Sequence, residues 1–226
     1  MTSTRAHRCL GIDFGTTNSA LALADPRTPE QSQLVLHDRP GSTPSGTFRS
    51  VLFFEHAVLG SGKRPPALAG PHAIERYLAT GGSGRLLQSL KSFLASPLFS
   101  ATSIDGQRFT LEELIGALLR NLRESAERTV GELPKTAVFG RPVRFVNADP
   151  SQPESFPLDR LRKAAAIAGF EDVQFEYEPV AAALHYERTL TADELVLIAD
   201  FGGGTTDFTL IRVRRGEGGQ VQFSLR

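Results

Sequence analysis

Apolar and polar positions alternate over short stretches in the first quarter of the chain, which is the spacing typical of β-strands. The pattern predicts strands over Cys9–Phe14 and Ser19–Ala24, joined by a Gly-Thr-Thr-Asn turn as in a β-hairpin. Further strands are predicted over Gln33–Leu36 and Val51–Glu55, and the polar residues 38–50 between them predict a loop. We therefore expect the chain to begin with β-structure.

Apolar residues at helical spacing follow in the middle of the chain. They predict a short helix over His72–Ala79 and a second helix over Arg85–Leu94. Thr110 and Glu113 have the spacing of a capping box, and the long apolar face after them predicts a third helix that ends near Gly131. This region is therefore expected to be mainly helical.

From Thr136 onward, strand patterns alternate with helix patterns. The predicted strands are Thr136–Phe139, Val173–Tyr177, Leu195–Asp200, Asp207–Arg214 and a last one within residues 221–226. The predicted helices are Leu158–Ala168, stopped by Gly169, and Glu178–Arg188, in which Pro179 suits the first turn. Strands separated by helices imply an α/β fold with some parallel pairing.

Composition and charge exclude several classes of function. The 25 acidic residues balance the 25 basic ones, so the chain lacks the positive charge that binds nucleic acid or anionic lipid. No apolar run approaches the ~20 residues of a membrane span, and the first ten residues predict no secretory signal. Cys9, the only cysteine, excludes an internal disulfide and is expected to be buried in its strand. We expect a cytoplasmic protein.

One sequence pattern occurs twice and carries the candidate chemistry. LGIDFGTTNSALAL (10–23) and LIADFGGGTTDFTL (197–210) each contain a strand, an Asp-Phe-Gly, a Thr-Thr and another strand. Glycines let a backbone turn approach an anion, threonine hydroxyls add donors, and carboxylates suit Mg²⁺. Two such hairpins that face each other would hold phosphates from opposite sides. The alternative is a pair of ordinary Gly-rich hairpins, which the matched Asp and Thr residues disfavour.

These segments resemble the two phosphate loops of the DnaK-type heat shock protein 70 family. Between them, AAAIAGFEDVQFEYEPVAAALHY resembles the segment that links the two halves of the family's nucleotide-binding domain. Within the family, GRPV (140–143) and GRLLQSLKSFL (84–94) resemble the YegD-type chaperones. The resemblance implies an α/β actin-like ATPase (ribonuclease H-like) fold, and this chain corresponds to the first lobe of a two-lobed nucleotide-binding domain.

The resemblance also assigns roles to individual residues. It implies catalytic roles for Lys91, Glu178 and Asp200, and Mg²⁺ binding by Asp13 and Asp200. It implies that the phosphates of ATP or ADP bind to two groups of residues, Gly15, Thr16, Thr17 and Asn18 in the first loop and Gly202, Gly203, Gly204 and Thr205 in the second. From the residues alone, Lys91 is a solvated helix residue and Glu178 a helix cap.

One further pair of residues follows from the same resemblance. Pro142 aligns with a family proline that relays nucleotide state to a peptide-binding domain. Arg160 aligns with the arginine partner of that proline only after a shift, because residues 147–161 form a longer segment than their family counterpart.

The resemblance further implies a division into domains. Residues 1–36 and 135–195 are expected to form a core α/β subdomain, and residues 37–134 a smaller inserted subdomain that carries Lys91. Residues 196–226 are expected to begin a second lobe that is truncated, so that the chain alone binds ATP weakly and turns it over negligibly. The apolar strands of this segment are expected to mediate self-association.

The function implied is that of an Mg²⁺-dependent ATPase domain in a DnaK-like chaperone, with client or co-chaperone proteins as partners besides the nucleotide. Two alternatives stay open at this point. A sugar kinase on the same fold has a similar first loop, and a non-catalytic actin-fold module would bind partners without turnover. The four charged residues Asp13, Lys91, Glu178 and Asp200 disfavour the second alternative.

Overall fold

The computed structural model describes residues 8–39, 41–56, 65–187, 190–215 and 221–225. The strands are β1 Cys9–Phe14, β2 Asn18–Asp25, β3 Thr28–Leu34, β4 His37–Arg39, β5 Ser42–Ser45, β6 Phe48–Arg49, β7 Val51–Phe54, β8 Ala67–Ala69, β9 Arg85–Gln88, β10 Ala101–Ile104, β11 Gln107–Thr110, β12 Thr136–Arg141, β13 Asp172–Tyr177, β14 Glu194–Phe201, β15 Thr206–Arg215 and β16 Val221–Leu225. The helices are α1 Gly70–Ala79, α2 Leu111–Val130, α3 Phe156–Ile167 and α4 Glu178–Glu187, and Leu90–Phe93 forms a 3₁₀ helix. The predicted helix end at Arg188 and parts of the predicted domains (residues 1–7, 40, 57–64, 188–189, 216–220 and 226) lie outside the described residues.

A mixed sheet forms the centre of the molecule, with the strand order β13-β12-β1-β2-β3. β1 pairs parallel with β12, Leu10 opposite Ala137, and β12 pairs parallel with β13. β1 and β2 form the predicted antiparallel hairpin. The expectation of an α/β fold with parallel pairing is therefore confirmed.

The main core lies on one side of this sheet. Along β1, the side chains of Leu10, Ile12 and Phe14 are buried, while Cys9 and Asp13 are on the opposite, open side. The period of two along a strand explains this division. The expectation that Cys9 is buried was wrong, because its position in the alternation places it on the open side.

The long helix α2 covers the core side of the sheet. The predicted capping box is confirmed: Glu113 N donates to Thr110 Oγ1 and Thr110 N donates to the Glu113 carboxylate. α2 packs on α3, and its buried leucines belong to the same apolar core as Leu10 and Phe139. The same core also includes Leu52, Phe54 and Phe109 from the segment before α2, so α2 shares apolar contacts with both the central sheet and that segment.

The predicted helix over Arg85–Leu94 is wrong. Residues 85–88 form β9, which pairs antiparallel with β7, and only Leu90–Phe93 are helical, as a 3₁₀ turn. Ser89 separates the two with a left-handed φ of 59°. Leu86 and Leu87 pack on two different apolar clusters, one on each side of the strand. Because two adjacent residues are apolar, the sequence lacks the alternation of apolar and polar residues that predicts a strand.

The predicted loop over residues 38–50 contains the short strands β5 and β6 and most of β4, and the hairpin β10–β11 was not predicted. α1, α3 and α4 confirm the other predicted helices, and Gly169, with φ of +90°, follows α3 as expected. No helix in the described ranges is long and apolar enough to cross a membrane.

The last three strands form a separate antiparallel sheet in the order β14-β15-β16. One face of it packs on α4, where Ile211 and Val213 are fully buried. The other face carries apolar side chains that are exposed to solvent: Leu195, Leu197, Phe201 and Phe208. We call these four residues the exposed apolar face.

Candidate active site

Three parallel strands bring the first group of predicted site residues to one edge of the central sheet. β1, β12 and β13 run in the same direction, so their carboxyl ends meet at that edge. β1 ends next to Gly15, β12 ends before Pro142, and β13 leads directly into Glu178 at the start of α4. The edge therefore combines a glycine turn with a carboxylate at a helix N-terminus.

Each of the two hairpins contributes a turn at this edge. The first turn, residues 15–17, joins β1 to β2, and a Cβ on Gly15 would overlap the carbonyl oxygen of Asn18. The second turn, residues 202–205, joins β14 to β15. It is closed by a hydrogen bond in which Gly202 N donates to Thr205 O at 2.9 Å. Both turns are thus tight, and the backbone conflict requires glycine at Gly15.

The two turns face each other across a narrow cleft. A Cβ on Gly203 would overlap the side chain of Thr17, and one on Gly204 would lie 3.2 Å from Thr16 Cγ2. The cleft has a volume of about 200 Å³. Every residue predicted for the site lines it: Asp13, Gly15, Thr16, Thr17, Asn18, Lys91, Glu178, Asp200, Gly202, Gly203, Gly204 and Thr205.

Lys91 and Glu178 meet inside this cleft. Lys91 Nζ donates to Glu178 Oε1 at 2.7 Å, and the two side chains are only 13% and 22% exposed. β12 leaves space for the glutamate, since a Cβ on Gly140 would lie 3.0 Å from Glu178 Cγ. The lysine of the 3₁₀ helix is therefore held against the carboxylate at the start of α4.

Burial and nearby negative charge raise the pKa of two carboxyl groups of the cleft, Glu178 and Asp13. Burial raises the pKa of Glu178; Lys91 opposes this shift, and Asp13 and Asp200 add to it. The pKa of Asp13 is also raised by partial burial in the cleft wall, against the effect of Lys91. A cleft that holds several carboxylates around one lysine favours the binding of a further cation.

The donor set fits Mg²⁺ and phosphate. In the part of the chain that the structure describes, no three Asp, Glu, His or Cys side chains converge as a complete metal site. Mg²⁺ is commonly held by one or two carboxylates, with water and phosphate oxygens completing its shell. Asp13 and Asp200 suit that role, while the glycine turns, the threonine hydroxyls and Lys91 offer donors to phosphate oxygens.

The structure adds residues to the cleft that the sequence patterns did not identify. Arg144, Asp207 and Ser92 also line it. The signal for Arg144 was its place in the loop after β12, which is parallel to β1, because the loops that follow parallel strands meet at one edge of a sheet. Asp207 directly follows the second Thr-Thr pair, and no signal marked Ser92.

The Arg160 side chain lies away from Pro142. Its guanidinium is bonded to Glu112 and to backbone carbonyls of residues 93–99, whereas the carbonyl of Pro142 accepts from Arg141 Nε at 3.1 Å. None of the hydrogen bonds of the described residues joins Arg160 to Pro142. The structure therefore lacks the contact that the shifted alignment with the family's arginine implied.

A wider groove of about 860 Å³ adjoins the cleft on the open side of the central sheet. Small apolar residues such as Ala20 and Ala22 form much of its wall, and it shares Asp13, Glu178 and Asp200 with the cleft. The three carboxylates are therefore accessible from two directions.

A comparison with known families agrees with this geometry. The model of the Hsp70 protein family matches residues 96–222, which is more than half of the chain. The match includes Glu178, Asp200 and the second turn, whereas the first turn and Lys91 lie before it. Members of this family are ATPases with an actin-like fold, in agreement with the mixed sheet and its flanking helices. The chain belongs to the Hsp70 protein family.

Proposed function

We propose that the chain binds the phosphates of ATP and an Mg²⁺ ion in the cleft and supports ATP hydrolysis in a DnaK-like chaperone. The observation that carries this proposal is the opposition of two matched glycine turns with the Lys91–Glu178 pair beside them. Paired turns offer backbone N–H groups from two sides, an arrangement suited to a chain of phosphates rather than to a single anion.

Each charged residue has a distinct role in this proposal. Asp13 and Asp200 would hold Mg²⁺, which neutralises phosphate charge when bound. Lys91 would stabilise the charge that develops on a transferred phosphoryl group. Glu178, with a pKa raised by burial, would orient a water molecule and accept its proton. Asp200 would share the orientation of that water.

The test compares two lysine variants in the full-length protein. Lys91→Ala removes the lysine that pairs with Glu178 in the cleft, and Lys135→Ala removes a lysine that is 57% exposed and pairs with Glu171 on the surface. Phosphate release from MgATP should fall by about 100-fold or more in Lys91→Ala, because a group that acts on developing charge affects kcat. ATP binding should change little. Equal turnover in Lys91→Ala and Lys135→Ala would exclude the proposed role.

The sugar-kinase alternative makes a different prediction. A phosphorylated product from a panel of sugars, with ATP consumed in equal amount, would favour it over hydrolysis. The family match and the EPVAAALHY segment (178–186) support the chaperone-type ATPase instead. A non-catalytic module would bind MgATP without turnover, so phosphate release and sugar phosphorylation, measured together, separate all three.

Several finer assignments belong to the same proposal. We assign the chain to the YegD-type chaperones on GRPV and GRLLQSLKSFL, with client or co-chaperone proteins as further partners in the cytoplasm. We also propose the two subdomains expected from the sequence, residues 1–36 with 135–195 and residues 37–134. Limited proteolysis that cuts first near residues 37 and 134 would support this division.

A further inference from the structure

Lys91 sits on a segment that is weakly held by its own backbone. The 3₁₀ helix has only four residues. Its hydrogen bonds, from Ser92 N to Ser89 O and from Leu94 N to Lys91 O, are both 3.1 Å long. It follows Ser89, whose φ of 59° is left-handed, and residues 94–100 after it form turns without regular structure. Such short 3₁₀ pieces are marginal by themselves. Contacts from elsewhere must therefore fix the position of Lys91.

The buried side chain of Arg160 on α3 supplies those contacts. Arg160 is 6% exposed, and its guanidinium donates to a series of carbonyls along one segment. The acceptors are Phe93 O at 3.2 Å, Leu94 O at 3.4 Å, Ser96 O at 3.0 Å and Phe99 O at 2.8 Å. The remaining Nε–H donates to Glu112 Oε1 at 2.7 Å, at the start of α2.

This arrangement provides hydrogen-bond partners both for the buried guanidinium of Arg160 and for the backbone carbonyl groups around it. A guanidinium has five N–H donors in a rigid plane, so it can bind several carbonyls and one carboxylate at once. Phe93 ends the 3₁₀ helix, and a cation there also compensates the partial negative charge of a helix C-terminus. An amine on a lysine side chain has neither the reach nor the geometry to bind all of these groups.

Arg160 is not among the residues that line the cleft, so it has no direct contact there with a bound phosphate. Its effect on the cleft passes through the segment that it binds. Leu90 and Leu94, on either side of Lys91, are buried in the main core, and Arg160 fixes the backbone immediately after them. The segment is thus held by apolar side chains at one end and by Arg160 at the other.

We propose that Arg160 is the positioning residue for Lys91: by binding the carbonyls of Phe93, Leu94, Ser96 and Phe99, it keeps Lys91 Nζ against Glu178 in the cleft. The importance of this positioning for ATP hydrolysis rests on the proposed function, in which Lys91 is a catalytic residue. The positioning itself can be measured without nucleotide, so the two can fail separately.

The experiment labels lysines of the 226-residue chain with a trace of acetic anhydride and reads each site by mass spectrometry. In Arg160→Met, the labelling rate of Lys91 should rise roughly threefold or more, because the segment opens locally. Lys135, which is 57% exposed, and Lys163, on the same helix as Arg160, should keep their rates. Global unfolding would raise all three rates, so a selective increase at Lys91 distinguishes positioning from general stability.

Two further variants sharpen the result. Arg162→Met removes a neighbouring arginine that is 52% exposed, pairs with Asp159 and lies over the Phe175 ring, with no bond to residues 93–99 among its described contacts, and it should leave Lys91 unchanged. Arg160→Lys keeps the charge and most of the volume, which protects folding if Arg160→Met is unstable, and it should still expose Lys91. A folded Arg160→Lys or Arg160→Met chain with wild-type labelling at Lys91 overturns the proposal.

The outcome is separable from that of the proposed function. If Lys91 becomes labelled in the Arg160 variants but Lys91→Ala turns over ATP normally, the positioning stands and the catalytic role fails. If Lys91→Ala is inactive but the Arg160 variants leave Lys91 protected, the catalytic role stands and the positioning fails.

Discussion

At the scale of single residues, glycine determines how closely the backbone can approach the cleft. At Gly15 an added Cβ would meet the carbonyl oxygen of Asn18, a residue of β2 that pairs with Arg49 of β6. At Gly203 it would meet the side chain of Thr17, which can rotate away. The two positions therefore differ in their tolerance of alanine, although both belong to the same repeated motif.

Gly15→Ala should lower the free energy of unfolding by about 1–3 kcal/mol, because the overlap can be relieved only by moving backbone. Gly11→Ala is the matched control in the same strand, since the nearest atom to its added Cβ, Ala22 O, lies 3.9 Å away. Urea denaturation of both variants measures the difference. Equal stability in the two variants would contradict this account of the first turn.

His37 is a second residue whose environment makes a prediction. It is fully buried, its Nδ1 lies 3.1 Å from Ser125 Oγ, and Nε2 has no hydrogen-bond partner among the described residues. Burial, and then the charge of Arg128, lower the pKa of His37 to about 4, against the opposite effect of Asp38. The folded protein therefore holds this imidazole in its neutral form.

The free energy of unfolding should fall as pH drops from about 6.5 to about 4. The reason is that His37 binds a proton at a higher pH in the unfolded chain than in the folded chain. The slope from this residue approaches about 1.4 kcal/mol per pH unit, and it vanishes above pH 6.5. His37→Gln should remove that slope, whereas His72→Gln, at a side chain that is 46% exposed, should not. Urea denaturation at several pH values tests this, and an unchanged slope in His37→Gln would refute it.

At the scale of elements, local signals predicted α2 well and the segment before it badly. Thr110 and Glu113 act on each other within one turn, so their spacing alone is informative. Residues 85–94 depend on distant partners: β9 is a strand because it pairs with β7, and the segment after it is fixed by Arg160. Leu86 and Leu87 face different apolar clusters, and this packing cannot be predicted from the local sequence pattern.

The capping box should make a measurable contribution to α2. Thr110→Ala removes the acceptor for Glu113 N and should destabilise the protein by about 1 kcal/mol. Thr129→Ala, in the last turn of the same helix, loses only a contact of 3.5 Å to Ser125 O and should change stability by less than about 0.5 kcal/mol. Thermal unfolding of the two variants compares them, and reversal of their order would refute the assignment.

At the scale of the whole molecule, the repeated motif predicted the site better than it predicted the fold. Two copies of one pattern identified both turns, and the structure brings them together with Lys91 and Glu178. The repeat contained no information on Arg144 or Arg160, since their places depend on the parallel order of β1, β12 and β13 and on the packing of α3. Long-range packing, unlike a turn, has no local pattern.

The exposed apolar face predicts self-association of the chain in solution. Leu197 is 61% and Phe208 is 64% exposed, and they lie on neighbouring strands of one sheet. The double variant Leu197→Lys, Phe208→Lys should shift concentration-dependent light scattering toward the monomer. Leu98→Lys is the control, because Leu98 is 95% exposed but lies outside this face. A wild-type chain that is monomeric at all concentrations would contradict the prediction.

The parallel pairing of β1 with β12 has a consequence for synthesis on the ribosome. Leu10 and its neighbours pair with β2 at once, but they find their parallel partner strand only when Ala137 and the residues around it have been translated. At about 5–20 residues per second, the first hairpin emerges roughly 6–25 s before that strand. During this interval the core around Leu10, Ile12 and Phe14 lacks the side chains of β12 and α3, so the nascent chain itself presents the kind of apolar segment that holding factors bind.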